Sequence, residues 1–460
     1  MVDTSLPPAG SSIHVIGVGG AGMSGVAKIL AQLGYRVSGS DLKPGRTLEL
    51  LEDVGIVTWV GHRPDRAASW DVVVASSAVP DRDPELRAAA EAGVPVWRRP
   101  RLLGALTTRF PTVGFSGTHG KTTSTALAVT ALRGMGNDPS FIVGGELVAL
   151  NTGAHRGTDD LFVLEADEAF GTFRHLHLTG MMVTNIEPDH LDHYGTVAAL
   201  EDAFAQVAAD VSGPVVACID DPGVRRLDQR VPVVSYGTSS DATWRIVDAA
   251  PAGLGVRFGL QHDAGGSGDA VVVEVPRPGM HVARDAAGVL ALLGEMGYDV
   301  AAAAASLEGF DGVRRRWEVR AKVAGVVVVE DYAHHPTEIA ATVEAAIAGA
   351  RGRVWAVFQP HRYTRTADLG PDFGRPLSAV DEVIVTDVYP AGEHPIPGVT
   401  GKIVADAVAA AGGHVRYVPK LDDVVDLVVG ALHPGDVLVL LGAGDVGSIA
   451  ESVALALERR

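Results

Sequence analysis

The apolar run Thr112-Val113-Gly114-Phe115 ends in Ser116-Gly117-Thr118-His119-Gly120-Lys121-Thr122-Thr123, and a helical stretch follows. A buried strand that feeds a glycine-rich loop and then a helix narrows the fold sharply. Strands alternating with helices build parallel α/β sheets. Such a loop also has a chemistry. Its amides can cradle phosphate oxygens, Lys121 can neutralise phosphate charge, and Thr122 can offer a hydroxyl to Mg²⁺. The strict spacing G-x-x-x-x-G-K-[ST] requires glycine at 115, where this chain has Phe115. The nearest upstream glycines are Gly114 and Gly117, so the loop is a variant. A fortuitous Gly-Lys-Thr is common, but one set between a strand and a helix is not.

The same pattern occurs earlier in the chain. Ile13-His14-Val15-Ile16 leads into Gly17-Val18-Gly19-Gly20-Ala21-Gly22, and a helix runs on to about Leu33. A second strand around Tyr35 to Ser38 leads to Asp41, 24 residues after Gly17. A carboxylate there can reach a ribose hydroxyl, while the turn and the helix N-terminus face a diphosphate. NAD, FAD and nucleotide sugars all use such turns, and a tight turn without a ligand is the plain alternative.

At ~150 residues per domain, 460 residues suggest about three domains. The boundaries fall at 1–108, 109–312 and 313–460. Met1 to Ser12 reads as untethered. Val72-Val73-Val74-Ala75, Leu161 to Leu164 and Met181 to Thr184 read as buried strands, and the last two end in the polar segments Glu165 to Glu168 and Asn185 to His193. Residues 237–275 look like a small β excursion, and helices are expected at Arg284 to Met296 and Ala301 to Leu307. Val326 to Val329, Val354 to Phe358, Val383 to Val385 and Val437 to Leu441 supply strands of a third unit, with a helix from Pro336 to Ala350.

The chain carries 56 acidic against 38 basic residues, net −18, which argues against a nucleic-acid partner. Its single cysteine, Cys218, lies in an apolar run, so neither an intramolecular disulfide nor a cysteine zinc cluster is available. No leader pattern and no uninterrupted apolar stretch of ~18 residues is visible. The expectation is a cytoplasmic protein without a membrane partner, a monomer or weak homodimer.

The phosphate loop resembles that of the Mur ligase family, which adds amino acids to UDP-muramoyl precursors of peptidoglycan, and the resemblance runs along nearly the whole chain. Gly19-Gly20-Ala21-Gly22-Met23-Ser24-Gly25 is similar to the UDP-sugar turn of the member that adds L-alanine. Asn185-Ile186-Glu187-Pro188-Asp189-His190-Leu191-Asp192 is similar to the family's metal-site segment. Asp331-Tyr332-Ala333-His334-His335-Pro336-Thr337-Glu338 resembles the opening of its C-terminal domain. Phe358-Gln359-Pro360-His361-Arg362-Tyr363-Thr364-Arg365-Thr366 and Asp387-Val388-Tyr389-Pro390-Ala391-Gly392-Glu393 resemble the alanine-adding member.

The resemblance implies a Rossmann-like N-terminal domain binding a UDP-sugar, a central P-loop ATPase-like domain with a parallel sheet, and a Rossmann-like C-terminal domain binding the amino acid. ATP and Mg²⁺ would be the cofactors, with UDP-N-acetylmuramate and L-alanine as substrates. Gly117, Thr118, His119, Gly120, Lys121, Thr122, Thr123, Asp285, Arg315 and Asp331 would hold ATP. Thr122, Glu165 and His190 would hold metal. Gly19, Gly20, Gly22, Met23, Ser24 and Asp41 would hold the UDP-sugar. Tyr332, His361, Arg362 and Arg365 would hold the amino-acid end. Lys121, His190, His334 and Arg365 would act in catalysis, with a hinge near residues 311–320.

Three positions depart from the family pattern. Ala169-Phe170 stands where Ser-Asp is common. Asp285 replaces the usual adenine-contacting asparagine, and a carboxylate cannot donate to adenine unless protonated. No lysine lies between Lys121 and Lys322, so a carbamylated lysine that bridges metals in several members has no counterpart. Rival readings are a relative that attaches a preformed peptide, a nicotinamide oxidoreductase using Gly17 to Gly22, and a non-catalytic nucleotide-sugar sensor.

Overall fold

The structure, a computed structural model, describes residues 5–253, 255–262 and 270–459. The first four residues of the leading segment and residues 254 and 263–269 of the expected β excursion lie outside the described residues. The chain divides into two compact units. One comprises Met1–Asp248, Gly259–Val273 and Arg284–Phe310; the other comprises Ala249–Phe258, Glu274–Ala283 and Asp311–Arg460.

The first unit opens with β1 (Ser12–Ile16), β2 (Arg36–Asp41), β3 (Val57–Val60), β4 (Val72–Ala75) and β5 (Val96–Arg98). They form a parallel sheet in the order β3-β2-β1-β4-β5. A larger sheet follows from β6 (Thr112–Ser116), β7 (Ser140–Leu147), β8 (Thr152–His155), β9 (Phe162–Glu165), β10 (Gly180–Val183), β11 (Val215–Cys218) and β12 (Val234–Gly237). Its order is β12-β11-β10-β6-β9-β7-β8, and only β8 is antiparallel to its neighbour. The expected β excursion is present as β13 (Trp244–Ala252), β14 (Gly255–His262) and β15 (Val271–Val275), with β13 joining β12 at Trp244 and Arg245.

In the second unit β16 (Glu318–Val323), β17 (Val326–Asp331), β18 (Val354–Phe358), β19 (Glu382–Val385), β20 (Val415–Tyr417) and β21 (Val437–Leu441) lie in the order β16-β17-β21-β18-β19-β20. Only β16 runs antiparallel. The buried strands read as continuous apolar runs because helices cover both faces of such sheets.

One core serves both sheets of the first unit. Ile13, Val15 and Leu30 pack with Ile142, Ala154, Phe162 and Leu164. The helix Ala21–Gln32 approaches the β7–β8 hairpin through Gly25, where a Cβ would lie 3.3 Å from both Ile142 and Ala154 side chains. The sequence expectation that the leading segment is untethered is corrected from Ser5 onward. The Tyr35 hydroxyl donates to Pro7 O at 2.8 Å, Leu6 packs on the core, and Arg36 N donates to Ser11 O.

A polar network is buried beside β1. The His14 ring stacks between Trp59 and Trp70, at 4.8 and 4.0 Å between centroids. Glu85 is fully buried and accepts from Ser40 Oγ at 2.5 Å, Trp59 Nε1 at 3.2 Å and Arg63 N at 2.8 Å. Burial opposes its charge, but the bonds from His14, Ser40 and Arg63 outweigh it and bring the pKa down to about 2. A depressed carboxylate pKa gives stability that is present above the unfolded value of about 4.5 and is lost as pH falls toward 2. Glu85→Gln should therefore cost on the order of 2 kcal/mol at pH 7. Urea denaturation should show the gap from wild type closing between pH 4.5 and 2.

Candidate active site

The strand β6 lies between β9 and β10, with Phe115 opposite Glu165 and Ser116 opposite Val183. The C-terminal ends of three strands therefore meet around the loop 117–120, where open α/β sheets place ligands. The loop turns into the helix Lys121–Gly134 through two glycines in the left-handed half of backbone space, Gly117 at φ +130° and Gly120 at +85°. A Cβ at Gly117 would sit 2.0 Å from Thr184 Oγ1; one at Gly120 would sit 2.7 Å from Asp285 Oδ1.

The segment after β10 clamps the loop. Thr118 N donates to Asn185 O at 3.1 Å, and His119 N donates to Asn185 Oδ1 at 2.8 Å. Glu187 N donates to Thr118 Oγ1 at 2.9 Å, and Thr184 Oγ1 donates to His119 O. His119 Nε2 lies 3.7 Å from Glu187 Oε2. The loop is preorganised by these bonds, its shape fixed before any anion arrives.

Lys121 is held at the centre. Its ammonium donates to both Glu168 oxygens at 2.9 Å and to Gly117 O at 2.7 Å, with Asp167 Oδ1 at 3.7 Å. Burial works against the charge, but Glu168 and Asp167, helped by Glu165, hold the pKa above the ordinary lysine value. Tyr194 Oη donates to Glu168 O at 2.6 Å, which ties the turn beginning at His190 to the same acid. His190 has φ +53°, and its Nε2 lies 3.8 Å from Asp189 Oδ2. Glu165 Oε1 accepts from Gly144 N at 2.6 Å. Thr122 is buried in the first turn of the helix and Thr123 is half-buried beside it. Asp285 is buried within the helix Met280–Glu295, which starts four residues earlier than the sequence suggests, and lies against the Gly120 bend.

At the N-terminal turn, Gly17 takes φ +76°, and Gly17 N and Val18 N donate to Ser40 O. Asp41 Oδ2 accepts from Gly19 N at 2.9 Å, and Oδ1 accepts from Lys43 N. Asp41 thus braces the turn it was expected to serve only as a ribose ligand. Gly20 caps the helix Ala21–Gln32, Met23 is buried, and Ser24 N donates to Gly20 O.

In the second unit, the ring of His334 lies 5.2 Å from that of Tyr332 and 5.9 Å from that of His361, and His361 stacks on Tyr389 at 5.7 Å. Arg362 Nε donates to Glu393 Oε1 at 2.6 Å, and Thr364 N and Oγ1 bind the same carboxylate. Arg365 Nη1 lies 3.5 Å from His361 Nδ1, and no carboxylate pairs with Arg365 among the described residues. Burial lowers the His334 pKa to about 4, with Arg365 acting in the same sense against Glu338. Burial, His334 and the two arginines lower His361 to about 4 as well. Both imidazoles should stay neutral at pH 7, and their ring ¹⁵N shifts should titrate well below pH 6; titration near 6.5 would contradict the burial argument.

Two further expected ligands have partners within their own domain. Asp331 Oδ2 accepts from Trp317 N and Oδ1 from Ala333 N, both at 2.8 Å. Arg315 donates to Glu330 Oε1 at 2.8 Å and to Gly442 O and Gly444 O. Sequence reasoning missed Glu168, Thr184 and Glu393 as site residues. Glu168 was legible as a second acid at a strand end, and Glu393 as the acid closing the segment after β19.

Three family models match consecutive parts of the chain: Mur ligase family, catalytic domain at residues 12–111; Mur ligase middle domain at 115–293; and Mur ligase, glutamate ligase domain at 315–444. A UDP-N-acetylmuramate–L-alanine ligase from Acidothermus cellulolyticus is 42% identical over 456 residues, covering 97% of this chain and 95% of the relative. One from Thermobifida fusca is 39% identical, covering 97% and 96%. The crystal structure of a UDP-N-acetylmuramate-alanine ligase from Thermotoga maritima superposes with a TM-score of 0.83 at 27% identity, over 96% of this chain and 98% of that one.

Proposed function

The chain belongs to the Mur ligase family, and from that premise we propose that it joins L-alanine to the lactyl carboxylate of UDP-N-acetylmuramate, with ATP converted to ADP and phosphate, in peptidoglycan precursor synthesis. The observation that carries this reading is the end-to-end likeness to relatives of that activity, covering 97% of this chain and 95% of one relative. The substrates are water-soluble, which fits work in the cytoplasm. Among the described residues no helix is long and apolar enough to cross a membrane.

The lactyl carboxylate attacks the γ-phosphorus of ATP and ADP departs. The amine of L-alanine then attacks the acyl phosphate carbon, and phosphate leaves with one former carboxylate oxygen. This chemistry asks for charge stabilisation and positioning rather than a covalent nucleophile. The amides of Gly117 to Thr123 and the Lys121 ammonium would face the phosphates; Glu168 already holds Lys121 charged. Thr122 and Glu165 would offer oxygen donors to Mg²⁺, with the His190 imidazole as a further candidate ligand, and the ion would neutralise phosphate charge when bound.

Arg365, which pairs with no carboxylate among the described residues and has His361 Nδ1 3.5 Å away, is suited to the carboxylate of L-alanine, with Tyr332 and Arg362 as further candidates. A neutral His334 can accept a proton from the attacking ammonium. Arg315 Nη1 and the remaining lone pairs of Asp331 would be available to ATP beside their present partners. In domain terms, 1–108 holds the UDP-sugar, 109–312 ATP and 313–460 the amino acid.

Phosphate release with UDP-N-acetylmuramate, Mg-ATP and one amine at a time tests the assignment. L-alanine should support release well above glycine, L-serine or a tripeptide. Preference for the tripeptide would favour a peptide-attaching relative, and no release with L-alanine from folded protein would sink the reading.

A further inference from the structure

His62 follows β3, and Asp83 and Glu85 stand at the start of the helix Pro84–Glu91. One atom from each converges on a common point. His62 Nδ1 lies 3.6 Å from Asp83 Oδ2 and 3.7 Å from Glu85 Oε2, and the three ligand atoms all lie within 4.8 Å of one another. The two imidazole separations are too long for hydrogen bonds. They approach the spacing of atoms that share an ion, since ligands ~2.0–2.2 Å from a metal at tetrahedral angles stand about 3.3–3.6 Å apart.

The surroundings fix each group in this arrangement. Asp83 caps the helix with Oδ1 alone, which accepts from Glu85 N at 2.9 Å and Leu86 N at 3.3 Å. Its Oδ2 is turned to His62 and accepts no hydrogen bond among the described residues. Glu85 Oε1 accepts from Trp59 Nε1 and Arg63 N, and Oε2 accepts from Ser40 Oγ, which leaves a lone pair of Oε2 toward His62. With a pKa of about 2, Glu85 is anionic at pH 7. The other imidazole facing it, His14, has Nδ1 2.9 Å from Ser38 Oγ and Nε2 3.6 Å from Glu85 Oε2. Asp83 and Glu85 are buried, whereas His62 is 29% exposed, so the cluster opens to water on one side. One imidazole and two carboxylates suit Zn²⁺, with water in the remaining position, better than Mg²⁺, which prefers oxygen ligands throughout.

We propose that His62, Asp83 and Glu85 bind a divalent transition-metal ion of the Zn²⁺ type, which staples the end of β3 to the helix Pro84–Glu91. The site shares no residue with the phosphate loop or with Thr122, Glu165 and His190.

Calorimetric titration of the chelator-treated full chain with Zn²⁺, in excess Mg²⁺, tests it on wild type, His62→Ala and Asp83→Asn. The asparagine keeps a side-chain oxygen for the helix cap while removing the charge. Each variant should take up one Zn²⁺ fewer than wild type, its affinity at this site falling at least ~100-fold, since even the supports of a metal ligand are worth about 10- to 100-fold. Titrated with Co²⁺, wild type should show a visible absorption band that both variants lose. Zn²⁺ should also raise the melting temperature of wild type more than that of either variant. Melts without metal confirm that each variant is folded. An imidazolium paired with both acids, the plain alternative, predicts equal Zn²⁺ uptake by all three proteins. That result, or an unchanged Co²⁺ spectrum in the folded variants, would overturn the proposal.

Discussion

Lys121→Ala should reduce phosphate release by at least ~100-fold, because the loop loses its one ammonium at the phosphates. The structure adds a second consequence. Both oxygens of the buried Glu168 rest on this ammonium at 2.9 Å, and Asp167 lies beside it. Removing one member of a buried pair leaves the other charge uncompensated, at a cost of about 3–5 kcal/mol. Lys121→Ala alone should therefore melt early. The double variant Lys121→Ala with Glu168→Gln should recover most of that stability while remaining inactive. Thermal melts and steady-state assays on the three variants separate the two roles of the lysine. Normal turnover in Lys121→Ala, or no stability rescue in the double variant, would refute the pairing argument.

Gly117→Ala should be nearly as damaging, by a different route. Gly117 has φ +130°, a region that L side chains rarely adopt, and an added Cβ would lie 2.0 Å from Thr184 Oγ1 and 3.0 Å from Asn185 backbone atoms. Thr184 and Asn185 cannot retreat without releasing Thr118 and His119, whose positions they fix. ATP affinity should fall by at least ~100-fold. Equilibrium binding of ATP measures it, and UDP affinity at the N-terminal turn serves as the control. Wild-type ATP affinity in this variant would mean that the loop geometry is not what binds phosphate.

The three α/β sheets were legible because buried parallel strands are nearly unbroken apolar runs, as in Val72-Val73-Val74-Ala75 and Val437-Leu438-Val439-Leu440-Leu441. The hairpin of β7 and β8 was not, because Gly144, Gly145 and Gly153 interrupt its pattern and one side of it is half-exposed. β16 escaped notice as well. It is an edge strand that alternates charged and apolar residues, Glu318-Val319-Arg320-Ala321-Lys322-Val323.

At the candidate site, Lys121 stood out through the strand-loop-helix pattern, Glu165 through its place at a strand end and His190 through the family resemblance. Their immediate supports did not. Asn185 acts through bonds to a loop 66 residues away. Asp331, Arg315 and Asp41 mark the opposite limit. A carboxylate or guanidinium at a strand end reads the same whether it awaits a ligand or braces the backbone, and only the structure places Trp317 N, Ala333 N and Gly19 N on those oxygens.

The central claim is that the loop activates a carboxylate. The direct measurement uses UDP-N-acetylmuramate labelled with ¹⁸O in both lactyl carboxylate oxygens, turned over with Mg-ATP and L-alanine, with the released phosphate analysed by mass spectrometry. Transfer through an acyl phosphate predicts one ¹⁸O in each phosphate released, since the bridging carboxylate oxygen leaves with it. Phosphate carrying no ¹⁸O would contradict the account.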